Sequence, residues 1–204
     1  YTYEIMSIIV GLTGGIASGK TTISAFLKKK NYKVHNSDFE VDKIYSKPNN
    51  FFLKHLRAIG LSHSIKQKKI NKITIREEIF KNKKTKTRLE KFIHNEVQKS
   101  RKKFLNKYKK NQTKIIFLDV PLLFEKKLDK ICDICILMYA PQKIREKRAL
   151  KRQGITKKIF RQIMKSQMKE SIKKKKADYI INTSNSKKNC YKKIINIVKS
   201  LEQK

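Results

Sequence analysis

The chain has 204 residues, enough for one sizeable core with insertions, and its 52 Lys and Arg against 16 Asp and Glu give a formal net charge of +36. Its longest apolar runs, IIFL and ICILMYA, are of strand length and fall far short of the ~18 to 20 residues of a membrane span, so no membrane partner is expected. The basic residues are 44 Lys and only 8 Arg, spread along the chain without an Arg–aromatic stripe, which argues against a specific nucleic-acid partner and for no more than salt-sensitive adhesion to polyanions.

The opening YTYEIMSIIV lacks the basic, apolar and cleavage regions of a signal peptide, and a cytoplasmic location is expected. A strand that starts at Ser7 has no use for YTYEI, so the native start is expected at Met6, which an intact-mass measurement tests. The first strand-like run, Ile8 to Leu12, leads into GLTGGIASGKTT. A flexible turn would account for the glycines but not for their order. Gly14, four residues, Gly19, Lys20 and Thr21 match G-x-x-x-x-G-K-[ST], the P-loop whose successive backbone N–H groups wrap a polyphosphate. Gly14, Gly15, Ala17, Ser18, Gly19, Lys20, Thr21 and Thr22 are therefore the candidate nucleotide-binding residues. Lys20 is expected on the β and γ phosphates and Thr21 on Mg²⁺. The following TTISAFLKKK has helical spacing, and a helix N-terminus there adds free N–H donors and a positive dipole end.

A second strand, Tyr32 to His35, is followed by VHNSDFEVDKIY. Asp38, just past that strand end, is a candidate base for an acceptor hydroxyl; a helix N-cap is the alternative. From Pro48 to Asn111 the pattern is helical, as in TIREEIF and TRLEKFIHNEVQKSRKKFL, and an inserted helical subdomain is expected over 48–111. The third strand, Lys114 to Val120, carries Asp119 near its end, where a carboxylate serves Mg²⁺ or caps the next turn. The fourth, Asp133 to Tyr139, follows Cys132, which with Cys135 forms a lone CxxC without a partner pair. Three cysteines, Cys190 being the other, point to reduced thiols and not to a disulfide framework or a zinc site. A second insertion, 145–176, contains helix-like pieces around Gly154 and precedes the last strand, Tyr179 to Asn182. Strands alternating with helices predict an α/β fold: a single P-loop domain over 1–204, with a parallel sheet flanked by helices.

No N-K-x-D motif is present, which argues against a GTPase. Four of the eight arginines, Arg145, Arg148, Arg152 and Arg161, fall within 17 residues, where even spreading puts fewer than one. In a chain that otherwise uses lysine, this selects the planar fork that grips phosphate oxygens, and Arg148 and Arg152 sit one helical turn apart, suited to a lid. A solvated helix with i, i+4 charges is the alternative.

With these residues in place, the chain resembles the dephospho-CoA kinase family from Ser7 to about Ser184. LTGGIASGKTT is similar to the family's TGGIGSGKS loop, and SDFEVDKIY to its D-A-D segment, with Asp38 at the second, catalytic aspartate. TIREEIF, which contains Arg76, and LEKFIHNEV, which contains His94, resemble its helical CoA-binding region. DVPLLFE, which contains Leu122, resembles its PLLFE signature; REKRALKRQG, KSQM and KKKKADYIINTS resemble its lid and the segment beyond. The resemblance implies transfer of the ATP γ-phosphoryl group to the ribose 3′-hydroxyl of dephospho-CoA, with ATP and Mg²⁺ as cofactors. Implied roles are Asp38 and Lys20 in catalysis, Arg148 and Arg152 on ATP, Asp38, Arg76, His94 and Leu122 on the acceptor, and Thr21 and Asp119 on the metal. His94 is as readily a packed or surface residue, and Pro121, Leu122 and Leu123 as readily packing. Asn36, Asn71-Lys72, Asn95 and Thr183 depart from the family's usual residues, and Thr183 puts adenine contacts there in question. A nucleoside or nucleotide kinase of similar fold is the rival enzyme reading, and a basic nucleic-acid-binding P-loop protein the rival from another class.

Overall fold

A computed structural model describes residues 6–203, so the expected early start over residues 1–5 lies outside the described residues. Apolar runs too short for helices become strands, and their order builds two compact units, one of residues up to His35 together with those from Leu105 onward, the other Asn36–Phe104.

The first unit starts with β1 (Ile8–Thr13), α1 (Lys20–Lys29) and β2 (Lys33–Asn36), which reaches the unit's edge. After the helical unit it resumes with β5 (Ile115–Asp119), β6 (Ile134–Tyr139), α6 (Gln142–Leu150), α7 (Lys157–Ser166), α8 (Glu170–Lys176), β7 (Tyr179–Asn182) and α9 (Lys187–Glu202). The strands form a five-stranded sheet in the order β2-β5-β1-β6-β7. The pairings β1–β5, β1–β6 and β6–β7 are parallel, with Val10 opposite Phe117 and Ile134, and Ile136 opposite Tyr179. Parallel strands need helices on both faces, which is why these strands read as unbroken apolar runs and not as alternation. One face packs Val10, Leu12, Phe117, Ile136 and Met138 against Ile23 and Leu27 of α1 and Ile194 and Val198 of α9. The other packs Ile9, Leu118 and Cys135 against Val120, Leu123 and Phe124. The expected α/β class holds, and each expected strand falls within two residues of an observed one.

The second unit holds α2 (Ser37–Ser46), α3 (Asn50–Ala58), a hairpin of β3 (Ile65–Lys66) and β4 (Lys69–Ile70), α4 (Lys72–Lys81) and most of α5 (Lys83–Lys110). Its own core joins Phe52, Leu56, Ile75, Leu89, Phe92 and Val97. Asparagine opens all four of its α-helices, Asn82 Oδ1 accepting from Thr85 N at 3.0 Å at the start of α5. Asn36 Oδ1 accepts from Phe39 N at 2.7 Å, Asn49 Oδ1 from Phe52 N at 2.8 Å, and Asn71 Oδ1 from Ile73 N at 3.0 Å. The unit thus begins at Asn36, earlier than the Pro48 at which the helical pattern sets in. No helix among the described residues is long and apolar enough to cross a membrane.

Candidate active site

The site of the first unit starts where β1 runs out. Val120 N donates to Leu12 O at 2.9 Å and Thr13 Oγ1 to Pro121 O at 3.0 Å, so the loop from Gly14 to Gly19 leaves from a fixed strand end. Ala17 (φ 56°) and Gly19 (φ 87°) both turn left-handed. Such turns aim successive N–H groups into one concavity, a nest for an anion. The first turn of α1 has no side-chain cap and no acidic residue, which leaves its N–H donors for a ligand.

Thr183 holds one side of the loop from outside. Thr183 Oγ1, at the end of β7, donates to Ser18 O at 2.6 Å, and Thr183 packs so closely on Gly19 that a Cβ there would lie 3.1 Å from it. Arg148 lays its fork on the same residue, Nη2 to Thr183 O at 2.6 Å and Nη1 to Thr183 Oγ1 at 3.2 Å. Beneath the loop Lys20 and Asp119 form an ion pair, 8% and 0% exposed. Thr21 faces outward from the first turn of α1. Its hydroxyl and the Asp119 carboxylate are oxygen donors of the type that suits Mg²⁺ held largely through phosphates and water. Arg148 and Arg152 line a cleft with Ala17, Gly19, Thr22 and Tyr191, and Arg161 is exposed on α7.

The loop residues, Lys20, Asp119, Arg148 and Arg152 thus belong to one unit, as does half-buried Leu122. Asp38, Arg76 and His94 lie in the helical unit, each at an exposed position on α2, α4 and α5. The N-cap of α2 is Asn36, so that role does not fall to Asp38. The helical unit carries its own groove, whose walls present Lys43, Lys47, Lys99 and Lys103 over a floor of Phe52 and Phe92. Within it Ser100 Oγ donates to Glu40 Oε2 at 2.8 Å.

Sequence reasoning gave no contact for four residues of the first unit. Thr183 was read only as a departure. Arg145 is 3% exposed, lies against Gly15 and pairs with Glu170 Oε2 at 3.0 Å. Gln167 Oε1 accepts from Ile16 N at 3.3 Å, and Glu125 accepts from Met168 N at 3.0 Å. Only the excess of arginine over 145–161 signalled any of them. The CxxC pair is separate: a hydrogen bond to Cys135, with burial, pushes the Cys132 thiol up, and the same bond holds Cys135 down. Among the described residues no group of three or more His, Cys, Asp or Glu could hold a metal.

Comparison with known proteins matches residues 8–189 to the family model described as dephospho-CoA kinase. The dephospho-CoA kinase of Bartonella quintana is 35% identical over 195 residues, covering 95% of this chain and 97% of that protein. That of Fusobacterium nucleatum is 34% identical, covering 93% and 96%. Among solved structures, dephospho-CoA kinase from Campylobacter jejuni superimposes with a TM-score of 0.73 at 24% identity, covering 97% and 98%, and shares the fold. Because the family match runs unbroken through the P-loop, the helical unit and β7, this chain belongs to the dephospho-CoA kinase family.

Proposed function

We propose that the chain transfers the γ-phosphoryl group of ATP to the ribose 3′-hydroxyl of dephospho-CoA, releasing ADP and CoA. The observation that carries this reading is the P-loop cradle itself, with a buried lysine beneath it, in a chain of that family. Lys20 exchanges Asp119 for the β and γ phosphate oxygens, and the loop's N–H groups and the α1 N-terminus hold the rest of the polyphosphate. Thr21 and Asp119 would be the protein's oxygen donors to Mg²⁺, which would supply neutralisation of the polyphosphate charge. Asp38 accepts the proton of the 3′-hydroxyl and orients it, and Arg148 and Arg152 neutralise charge that develops on the transferred group.

The lysine-walled groove of the helical unit suits the acceptor's other end, because its ammonium groups match a diphosphate and its aromatic floor an extended pantetheine arm. Arg76 and His94 serve the same acceptor. Binding energy from that arm holds the ribose in place, so truncated acceptors lose turnover as well as affinity. The free thiols of Cys132, Cys135 and Cys190 fit the reducing cytoplasm, to which we assign the enzyme. A panel of dephospho-CoA, adenosine, AMP, CMP and pantetheine phosphate with Mg-ATP tests the reading. Efficient phosphorylation of dephospho-CoA alone, at the 3′-hydroxyl, is expected. Equal or better turnover of a nucleoside or nucleotide overturns it.

A further inference from the structure

Gln167 ends α7 by turning extended, with φ −96° and ψ 152°, and this turn sends its carboxamide into the P-loop. Its Oε1 accepts from Ile16 N at 3.3 Å and lies the same distance from where a Cβ on Gly15 would sit. Beside it the Arg145 guanidinium rests on Gly15 so closely that any Cβ there would collide with Nη1. The buried Arg145 Nε at this spot has no protein partner, nor has the buried Ser18 Oγ, which lies beside Gly14. Buried polar groups in native proteins find partners, so these point to a polar ligand.

The segment that delivers Gln167 is anchored independently of any nucleotide. Glu125 Oε1 accepts from Met168 N at 3.0 Å and pairs at 2.8 Å with Lys173, which is 1% exposed; Arg145 pairs with Glu170. The position of Gln167 is therefore built by the fold around it.

We infer that Gln167 recognises the terminal phosphoryl group of the nucleotide. Its carbonyl satisfies the Ile16 N–H, a donor that a P-loop otherwise directs at phosphate. An anionic phosphoryl oxygen is the stronger acceptor for that N–H and displaces a neutral carbonyl. The carboxamide then turns one N–H donor to the phosphoryl group, while Arg145 closes on it from Gly15. Gly15 and Ile16 form the leading edge of the loop, four residues ahead of the Gly19–Lys20 corner at the α1 N-terminus. Gln167 accordingly touches the third phosphate and not the second, and separates ATP from ADP.

The test is calorimetric titration of the full chain with Mg-ADP and with the Mg complex of the β,γ-imido analogue of ATP. Gln167→Ala is expected to weaken the analogue about 10-fold, the scale of one hydrogen bond to a charged group, and to leave ADP within about 2-fold. Its kcat falls and its KM for ATP rises, with KM for dephospho-CoA unchanged. Gln167→Glu keeps size and the acceptor on Ile16 N–H, so it keeps the fold even where the alanine variant fails, and its carboxylate repels the third phosphate; the loss is again confined to the analogue. Equal losses of ADP and analogue, or none, overturn the inference. Lys20→Ala run alongside separates this from the P-loop reading: loss of both nucleotides there, with no selective loss at Gln167, leaves the loop assignment standing and removes Gln167 from it.

Discussion

Lys20, Thr21 and the glycines were legible because the loop's chemistry is local: the spacing that wraps a phosphate is a spacing along the chain. Thr183 and Gln167 were not, because their work is done across the fold, and Arg145 showed only as one of four clustered arginines. Thr183 meets Ser18 across 165 residues and Gln167 meets Ile16 across 151, separations at which one sequence carries no signal. Asp38 sits between these cases, visible as a carboxylate past a strand end but ambiguous between base and cap. With Asn36 in the cap, Asp38→Asn is expected to leave ATP binding and the melting temperature unchanged while phosphoryl transfer falls ~10² to 10⁴-fold. Single-turnover kinetics beside nucleotide titration measure both, and joint loss of binding and cooperativity refutes the assignment. The two lid arginines separate in the same manner. Arg148→Lys gives up a fork that grips Thr183 at two points, so turnover falls and the melting temperature drops slightly. Arg152→Lys, at an exposed position, lowers turnover with no thermal change. The expected helical spacing of the two does not hold, since α6 ends at Leu150 and Arg152 lies in the turn beyond it, and unchanged kinetics in both variants return this segment to a solvated surface.

At the level of elements, the strands of the sheet were readable because burial on both faces makes them apolar throughout, whereas helices declare themselves by spacing. The β3–β4 hairpin escaped notice for a physical reason. It has two residues per strand, and its turn uses Gln67 (φ 48°) and Lys68 (φ 62°), both left-handed, where Asn-Gly would have announced it. The helix starts of the second unit are asparagines, and Asn36 and Asn71 are among the departures noted from the family's usual residues. Either residue accepts from backbone N–H groups, so the departure preserves the cap. Asn71→Ala is expected to cost about 1 kcal/mol in urea unfolding, and Asn71→Asp a few tenths at most. Equal losses for the two would show that the side-chain oxygen is not what starts α4.

Taken as a whole, the protein is a polycation whose formal charge of +36 works against its own compactness. Inorganic triphosphate is expected to raise the melting temperature by several degrees more than sodium chloride at matched ionic strength, because a compact polyanion both screens and seats in the loop. Equal shifts would mean that screening alone acts. Against that surplus the Lys20–Asp119 pair beneath the loop is one of the few places where charge is balanced internally. A nucleotide that draws Lys20 onto its phosphates takes from the buried Asp119 carboxylate a cation that it pairs with, and losing that pairing is costly. Binding is therefore an exchange of counter-ions and not a simple addition. The polyphosphate takes the ammonium, and the carboxylate gains a claim on whatever cation arrives with the nucleotide. Nucleotide and cation affinities are thus linked through one aspartate, and each must strengthen the other by the same factor.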